Sequence, residues 1–229
     1  MPSRSLASAG RSSVQHASLS VDVVLLTPQV SRLSVLLRRL EGRAKERWEL
    51  PWEAMPVDAT IEEVAGRLAR SVLGSAPNLV EQVAAYGDRR RHPSRSQLSV
   101  AFLALASSDA PTPVGGGTAW FPIDDLPAIA PRQKAMIDGT LQAIRARLDQ
   151  SAIAFHLLPA TFTLSELQEI YELLLGRRLH KASFRRALHA AWLVEPTDEW
   201  RSEGRGRPAQ LFRYSPRKRR SSRRGVRFE

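Results

Sequence analysis

The chain has 229 residues, of which 43% are hydrophobic, so it has room for one large domain or two small ones with a buried core. It contains no cysteine, which excludes disulfides, thiolate metal sites and cysteine nucleophiles. The formal net charge is +11, and residues 201–229, with eleven basic and two acidic side chains, account for +9 of it. A basic block of this kind favours a polyanionic partner, most often nucleic acid, over a tail that only aids solubility.

The N-terminal part begins with a polar lead-in. Residues 1–17 are rich in serine and arginine and contain no apolar run that could act as a signal peptide or span a bilayer. We therefore expect a disordered lead-in to a cytoplasmic protein. Residues 18–28 are apolar and β-branched and predict a buried strand, which pairs with residues 32–40 as a hairpin. The polar stretch after residue 40 is predicted to be a loop.

The next elements complete a domain of mixed structure. Thr60 is the predicted N-cap of a helix over residues 61–73, and Gly74 is its predicted end. Later strands are predicted in the segment QVAAYGDRRR, at residues 97–107 and at residues 118–121, followed by a helix at residues 132–148. Strand pairs that alternate with two helices predict an α+β or α/β sandwich.

The C-terminal part has a different pattern. Thr163 and Glu166 show the spacing of a capping box at the start of a helix that Gly176 ends. A second helix is predicted over residues 181–191, and a hairpin with its tip at residues 204–208 follows. The apolar side of the second helix is predicted to consist of Phe184, Leu188 and Trp192. Helix, turn, helix and hairpin in this order are typical of a winged helix-turn-helix.

A winged helix binds DNA by placing its second helix in the major groove, while its wing reaches phosphates or the minor groove. Arginine on that helix can bridge the edges of guanine in a bidentate fork, and arginine on the wing can enter a narrow minor groove. The predicted DNA-binding residues are Lys181, Ser183, Arg185, Arg186, Arg205 and Arg207. The alternative for this domain is a winged helix used only for protein contact.

Several motifs of this domain belong together. They are Leu-Leu-Pro at 157–159, Phe-Thr-Leu at 162–164, Leu-Gln-Glu-Ile-Tyr-Glu at 167–172, Phe-Arg-Arg at 184–186 and Gly-Arg-Gly-Arg-Pro-Ala at 204–209. With them the chain resembles the NrtR family, the Nudix-related transcriptional regulators. The resemblance implies a homodimer that represses genes of NAD synthesis or salvage at a palindromic operator. It also implies ADP-ribose or a related nucleotide as an effector that binds the Nudix domain and releases the operator.

The segment WELPWEAMPVDATIEEVAGRLARSVLG resembles a Nudix box, in which Arg-Glu-x-x-Glu-Glu-x-x-Gly holds the catalytic metal. Arg67 and Gly74 keep this spacing, but Leu68, Ser71 and Val72 stand at the glutamate places. Carboxylates at i, i+3 and i+4 would share a helix face and bind Mg²⁺, which activates water. Without them we expect no hydrolase activity, no metal and no cofactor. The other nearby acids, interpreted as solvated loop charges, are Glu49, Glu53 and Asp58.

A domain that keeps this fold without its chemistry can serve as a sensor. The predicted effector contacts, through phosphate charge and base stacking, are Arg38, Arg47, Trp48 and Trp52. The alternative is that the tryptophans pack in the core and the arginines are merely exposed. The five histidines show no metal-ligand spacing and no evident acidic partner.

We therefore predict an α+β chain in four parts: a lead-in at 1–17, a Nudix-like α/β/α sandwich for sensing and dimerisation at 18–150, a winged helix-turn-helix at 151–216 and an arginine-rich tail at 217–229. The predicted function is that of a dimeric DNA-binding repressor with no membrane partner. One alternative is an active nucleotide pyrophosphohydrolase with a nucleic-acid-binding appendage, which the missing glutamates oppose. The other is an architectural or RNA-binding protein that binds through its tail, which the helix-plus-wing order opposes.

Overall fold

The computed structural model describes residues 18–40, 47–110, 117–202 and 208–215. The strands are β1 (Leu19–Gln29), β2 (Arg32–Arg39), β3 (Trp48–Glu49), β4 (Trp52–Ala54), β5 (Leu79–Tyr86), β6 (Leu98–Leu105), β7 (Thr118–Pro122), β8 (Val194–Arg201) and β9 (Ala209–Tyr214). The α-helices are α1 (Ile61–Leu73), α2 (Pro131–Arg147), α3 (Leu164–Leu175) and α4 (Lys181–Ala191), and a 3₁₀ helix spans Ile153–Leu157.

The first seven strands form one mixed sheet with the central order β3-β2-β1-β6-β5, in which β4 also pairs with β1 and β7 with β2. β1 and β6 are parallel, and the other pairs are antiparallel. Side chains of a strand alternate between the two faces of a sheet. Val23 and Leu25 accordingly belong to the core beneath α1, whereas Val24 and Leu26 belong to the core on the α2 side. This arrangement confirms the predicted α/β/α sandwich.

Local capping signals fix the helix ends where the sequence predicts them. The Thr60 side chain accepts a hydrogen bond from the Glu63 amide at 3.2 Å, and the Glu63 carboxylate accepts one from the Thr60 amide at 2.8 Å. The second bond lowers the pKa of Glu63. Gly74 ends α1 with φ of 78°, a left-handed conformation that glycine adopts without strain. The predicted N-cap, bounds and end of α1 are therefore confirmed.

Two sequence predictions about elements are wrong. The stretch after residue 40, predicted to be a loop, contains β3 and β4 on either side of Pro51. These short strands exist because β3 pairs with β2 and β4 pairs with β1, and pairing of this kind leaves no periodic pattern in two or three residues. Trp192, predicted to lie on the apolar side of α4, instead caps the helix with φ of 52° and is 50% exposed.

The core on the α2 side continues without a break into the C-terminal part of the chain. Met136 and Ile144 of α2 belong to the same cluster of buried residues as Tyr171 of α3 and Phe184 of α4. Arg145 of α2 adds a polar link, since its Nε donates to the Leu174 carbonyl at 2.8 Å. The winged-helix part is therefore seated on the sandwich through a shared core. Of the helices that the structure describes, none is long and apolar enough to cross a membrane.

Candidate DNA-binding and effector sites

α3 and α4 form a helix-turn-helix whose turn is organised by Glu172. Its carboxylate accepts hydrogen bonds from Gln168 Nε2 at 2.8 Å, from the Leu179 amide at 2.9 Å and from Arg178 at 2.8 Å. Burial alone would raise the pKa of Glu172, but these donors outweigh it and lower that pKa. One carboxylate thus fixes the chain between Gly176, which ends α3, and the start of α4.

α4 buries one side and exposes the other. Phe184 and Leu188 are fully buried, and the Phe184 ring meets Tyr171 edge-on at 5.6 Å. The four residues predicted to contact DNA from this helix are all exposed: Lys181, Ser183, Arg185 and Arg186. Arg186 lies on the side of the helix opposite the two buried residues, at 3.6 residues per turn. All four side chains are therefore accessible, although they do not share one side of the helix.

The wing is the hairpin of β8 and β9, which pair from Val194 opposite Tyr214 to Arg201 opposite Ala209. Arg201, at the end of β8 nearest the wing tip, donates to the Glu166 carboxylate at 2.6 Å and so ties this end of the wing to the first turn of α3. That carboxylate also accepts from the Thr163 amide in the predicted capping box. Arg205 and Arg207, the predicted contacts at the wing tip, lie outside the described residues.

Of the four predicted effector residues, two contact each other and two lie on or beside β3. The Arg38 guanidinium lies 5.2 Å from the centre of the Trp52 indole ring, so these two side chains are together. Trp48, on β3, packs edge-on against Phe121 at 4.7 Å and against the core on the α2 side, so it does not join that pair. Arg47 is exposed, and its carbonyl accepts a hydrogen bond from the Leu40 amide.

Glu49 is a functional candidate that the sequence interpretation missed. It was expected to be a solvated loop charge, but it is only 4% exposed and its Oε1 accepts from Arg38 Nε at 2.8 Å. The cause is its position on β3, opposite Arg38 on β2. Of the other two acids interpreted as solvated, Asp58 is exposed, and Glu53 is half-buried and paired with Arg67 at 3.0 Å.

Comparison with known proteins identifies the family of the C-terminal part. Residues 154–214 match the family described as the NrtR DNA-binding winged helix domain. The ADPR responsive transcriptional repressor NtrR of Acinetobacter baylyi is 30% identical over 209 residues, which cover 86% of this chain and 82% of that protein. This chain belongs to the NrtR family.

Solved structures agree with that assignment. Shewanella oneidensis NrtR, crystallised in complex with a 27mer DNA, matches with a TM-score of 0.75 and 29% identity, covering 86% of this chain and 94% of that one. A MutT/nudix family protein from Enterococcus faecalis matches with a TM-score of 0.70 and 18% identity, covering 88% and 89% of the two chains, and shows the fold alone. The predicted order of a Nudix-like domain and a winged helix is therefore confirmed.

This NrtR member has a Nudix helix whose metal-binding positions do not fit a metal. Leu68 is 3% exposed and belongs to the core beneath α1, and Val72 packs against the same core. Ser71 is exposed, and its hydroxyl donates to the Leu68 carbonyl at 2.8 Å. Mg²⁺ requires oxygen ligands, chiefly carboxylates, which none of the three supplies. Within the described residues, no group of three or more histidines and acids is placed to hold a metal ion.

A second correction concerns His92, which was expected to have no acidic partner. His92 Nε2 lies 2.7 Å from Asp22 Oδ1, and both side chains are fully buried. Gln133 Nε2 donates to the same Asp22 oxygen at 3.1 Å, and Ser20 donates to the other at 3.0 Å. Trp52 approaches the His92 ring edge-on at 5.6 Å. This buried polar network joins β1 and α2 to the loop before β6 directly behind the Arg38–Trp52 cluster.

A cleft of about 770 Å³ lies between the Nudix-like domain and the winged helix of this NrtR chain. Arg32 and Arg145 line it from the sandwich, and Arg177 and Lys181 line it from the helix-turn-helix. A residue predicted to contact DNA therefore lies directly at the boundary between the two domains.

Proposed function

We propose that this chain is a transcriptional repressor that binds a palindromic operator as a homodimer and controls genes of NAD biosynthesis or salvage. The observation that carries the proposal is α4, an exposed cationic helix on a winged helix that matches the NrtR DNA-binding domain. Helix-turn-helix proteins read paired half-sites as two-fold dimers, which supports a palindrome. Such a repressor works in the cytoplasm, where bacterial-type operators are found.

The proposed contacts divide by chemistry. Lys181, at the first position of α4, contacts phosphate as a compact point charge, whereas Arg185 and Arg186 reach base edges in the major groove. Ser183 adds a hydrogen bond to phosphate or base. Arg205 and Arg207 of the wing tip extend the contact to the minor groove. The arginine-rich residues 217–229 strengthen binding through charge without adding sequence specificity.

The proposed effector is ADP-ribose or a related nucleotide. Two observations support it: the Acinetobacter baylyi relative is named as ADPR responsive, and Arg38 and Trp52 contact each other in the Nudix-like domain, although Trp48 packs against the core. Arg47, beside this group, is exposed to solvent and completes the proposed contacts. Effector binding within residues 18–150 weakens the hold of residues 151–216 on the operator.

We further propose that the Nudix-like domain has no hydrolase activity. Hydrolysis in this fold needs a helix that gathers carboxylates around Mg²⁺, and here two of the three corresponding positions, Leu68 and Val72, pack into the core, while the third is Ser71. A sensor that destroyed its own signal would also report it poorly. Incubation of the purified protein with ADP-ribose and Mg²⁺ should leave the nucleotide intact.

The first experiment is selection of duplexes from a random DNA pool by the full-length protein at physiological salt. A palindromic site bound far above background, and released on titration with ADP-ribose but not with NAD, is the expected result. A pool without an enriched sequence, together with a steep salt dependence, would mean that the basic tail dominates and that the repressor proposal is wrong.

A further inference from the structure

The Glu49 carboxylate is only half satisfied. Its Oε1 accepts from Arg38 Nε at 2.8 Å, but its Oε2 is buried and has no hydrogen-bond partner among the described residues. A buried acceptor that lacks a donor costs free energy, and the cost is larger for a charged group. Such an atom calls for an explanation in a native structure, and an absent ligand is one.

A second buried atom without a partner belongs to a side chain that contacts the same arginine. Trp52 Nε1 is a buried donor without an acceptor in the described part of the chain. Its indole ring is 5.2 Å from the same Arg38 guanidinium that binds Glu49. The cluster of Arg38, Glu49 and Trp52 therefore contains one free acceptor and one free donor around a single cation.

The charge of this cluster argues against a phosphate ligand. Arg38 is already neutralised by Glu49 at 2.8 Å, and a phosphate would bring only acceptors to an unsatisfied carboxylate oxygen. A hydroxyl group, in contrast, both donates and accepts. Two neighbouring hydroxyls could donate to Glu49 and accept from Trp52 at the same time.

We propose that Glu49 is a specificity-determining residue that accepts a hydrogen bond from a ribose hydroxyl of the effector nucleotide, while the Trp52 indole donates to a neighbouring hydroxyl. This inference rests on the proposed function and deepens it. It assigns the ribose to this cluster and implies that the phosphates bind outside it. The cluster meets solvent through Arg38, whose side chain is 31% exposed while that of Glu49 is 5% exposed.

The test is calorimetric titration of ADP-ribose into the full-length protein and into Glu49→Gln. Glutamine keeps one oxygen for Arg38 but replaces the other with an amide that cannot accept, so we expect affinity to fall at least about tenfold. The matched control is Glu53→Gln, because the Glu53 carboxylate is paired with Arg67 of α1 and not with Arg38. That variant should bind as the wild type does.

Two further measurements separate recognition from folding. Trp52→Phe removes the donor but keeps an aromatic ring under Arg38, and should weaken ADP-ribose binding roughly threefold or more. Thermal denaturation of every variant checks that the fold is intact. Analogues of ADP-ribose that lack hydroxyls on one ribose or the other identify the sugar: the relevant analogue should bind the wild type and Glu49→Gln with similar affinity.

The outcomes distinguish this inference from the proposed function. If wild-type protein binds ADP-ribose and a folded Glu49→Gln binds it equally well, the Glu49 assignment is wrong and the proposed function stands. If no deoxy analogue shows coupling with Glu49, the ribose assignment is wrong. If wild-type protein binds no ADP-ribose, both the proposed effector and this inference are wrong.

Discussion

Lys181 is the first residue of α4, and its side chain is exposed at the edge of the interdomain cleft. We predict that Lys181→Gln lowers operator affinity by roughly 3- to 10-fold per subunit at physiological salt, because one phosphate contact is lost. The slope of log affinity against log salt should fall by about 1 per subunit. Fluorescence anisotropy with a labelled operator at several salt concentrations measures both quantities.

Arg70→Gln is the matched control, since Arg70 is an exposed cation on α1 in the other domain. It removes the same charge without touching the proposed interface. If Lys181→Gln and the wild type had equal operator affinity and equal salt slope, the prediction that Lys181 contacts DNA would be wrong.

At the residue scale, the sequence predicts the buried side of a helix but not the partners of its charged residues. The spacing of Phe184 and Leu188 is sufficient to show which side of α4 is buried. The environment of Glu49 depends on Arg38, eleven residues away on another strand. His92 and Asp22 are seventy residues apart, so no local pattern could pair them. Both corrections concern charges whose partners only the folded sheet brings close.

The Glu172 carboxylate accepts three of the hydrogen bonds that hold the turn between α3 and α4. We predict that Glu172→Gln lowers the free energy of unfolding by about 1–3 kcal/mol at neutral pH, because it weakens hydrogen bonds to a charged acceptor. Operator affinity should fall too, since the same bonds position α4. Urea denaturation and operator titration of the variant measure the two effects.

The pH dependence has a defined sign. The pKa of Glu172 lies below its ordinary value of 4.5 in the folded state, so its stabilising effect is complete above that value and is lost as the pH falls through the lowered pKa. The stability difference between wild type and Glu172→Gln should therefore shrink below pH 4.5. Glu169→Gln on the same helix is the control, and a difference that stayed constant with pH would contradict this role.

Some helices and strands are determined by residues close to them in sequence, and others are determined by distant partners. The N-cap Thr60, the capping box of α3, the glycine ends of α1 and α3, and the bounds of α1 and α4 were predictable, because each signal lies within a few residues. β3 and β4 were not, because strands of two and three residues exist only through their partners. The 3₁₀ helix at Ile153–Leu157 likewise carries no capping signal.

The shared core makes a prediction for the whole molecule. Because buried residues of β1, α2, α3 and α4 belong to one cluster, neither domain can unfold without exposing part of the other. Calorimetry of the full-length chain should show one unfolding transition, with equal calorimetric and van't Hoff enthalpies. Phe155→Ala, in the 3₁₀ helix between the domains, should lower this single midpoint at a cost of about 3–5 kcal/mol.

Two resolved transitions would show that the domains are thermodynamically separate. In that case Phe155→Ala should shift only one of them. The aromatic contacts of Phe155 with Phe162 and Tyr214, at 5.9 and 4.4 Å between ring centres, lie on the winged-helix side and identify which one.

The seating of the winged helix on α2 also constrains how such a protein can diversify. A DNA-binding domain that is joined to the rest of a protein only by a linker can be exchanged between proteins as a unit, because it has its own hydrophobic core. Here an exchanged module would have to match the apolar side chains of α2 and the Arg145 link to α3. Specificity for a new operator sequence therefore changes most readily by single substitutions on the exposed side of α4. The winged helix and the Nudix-like domain are retained together.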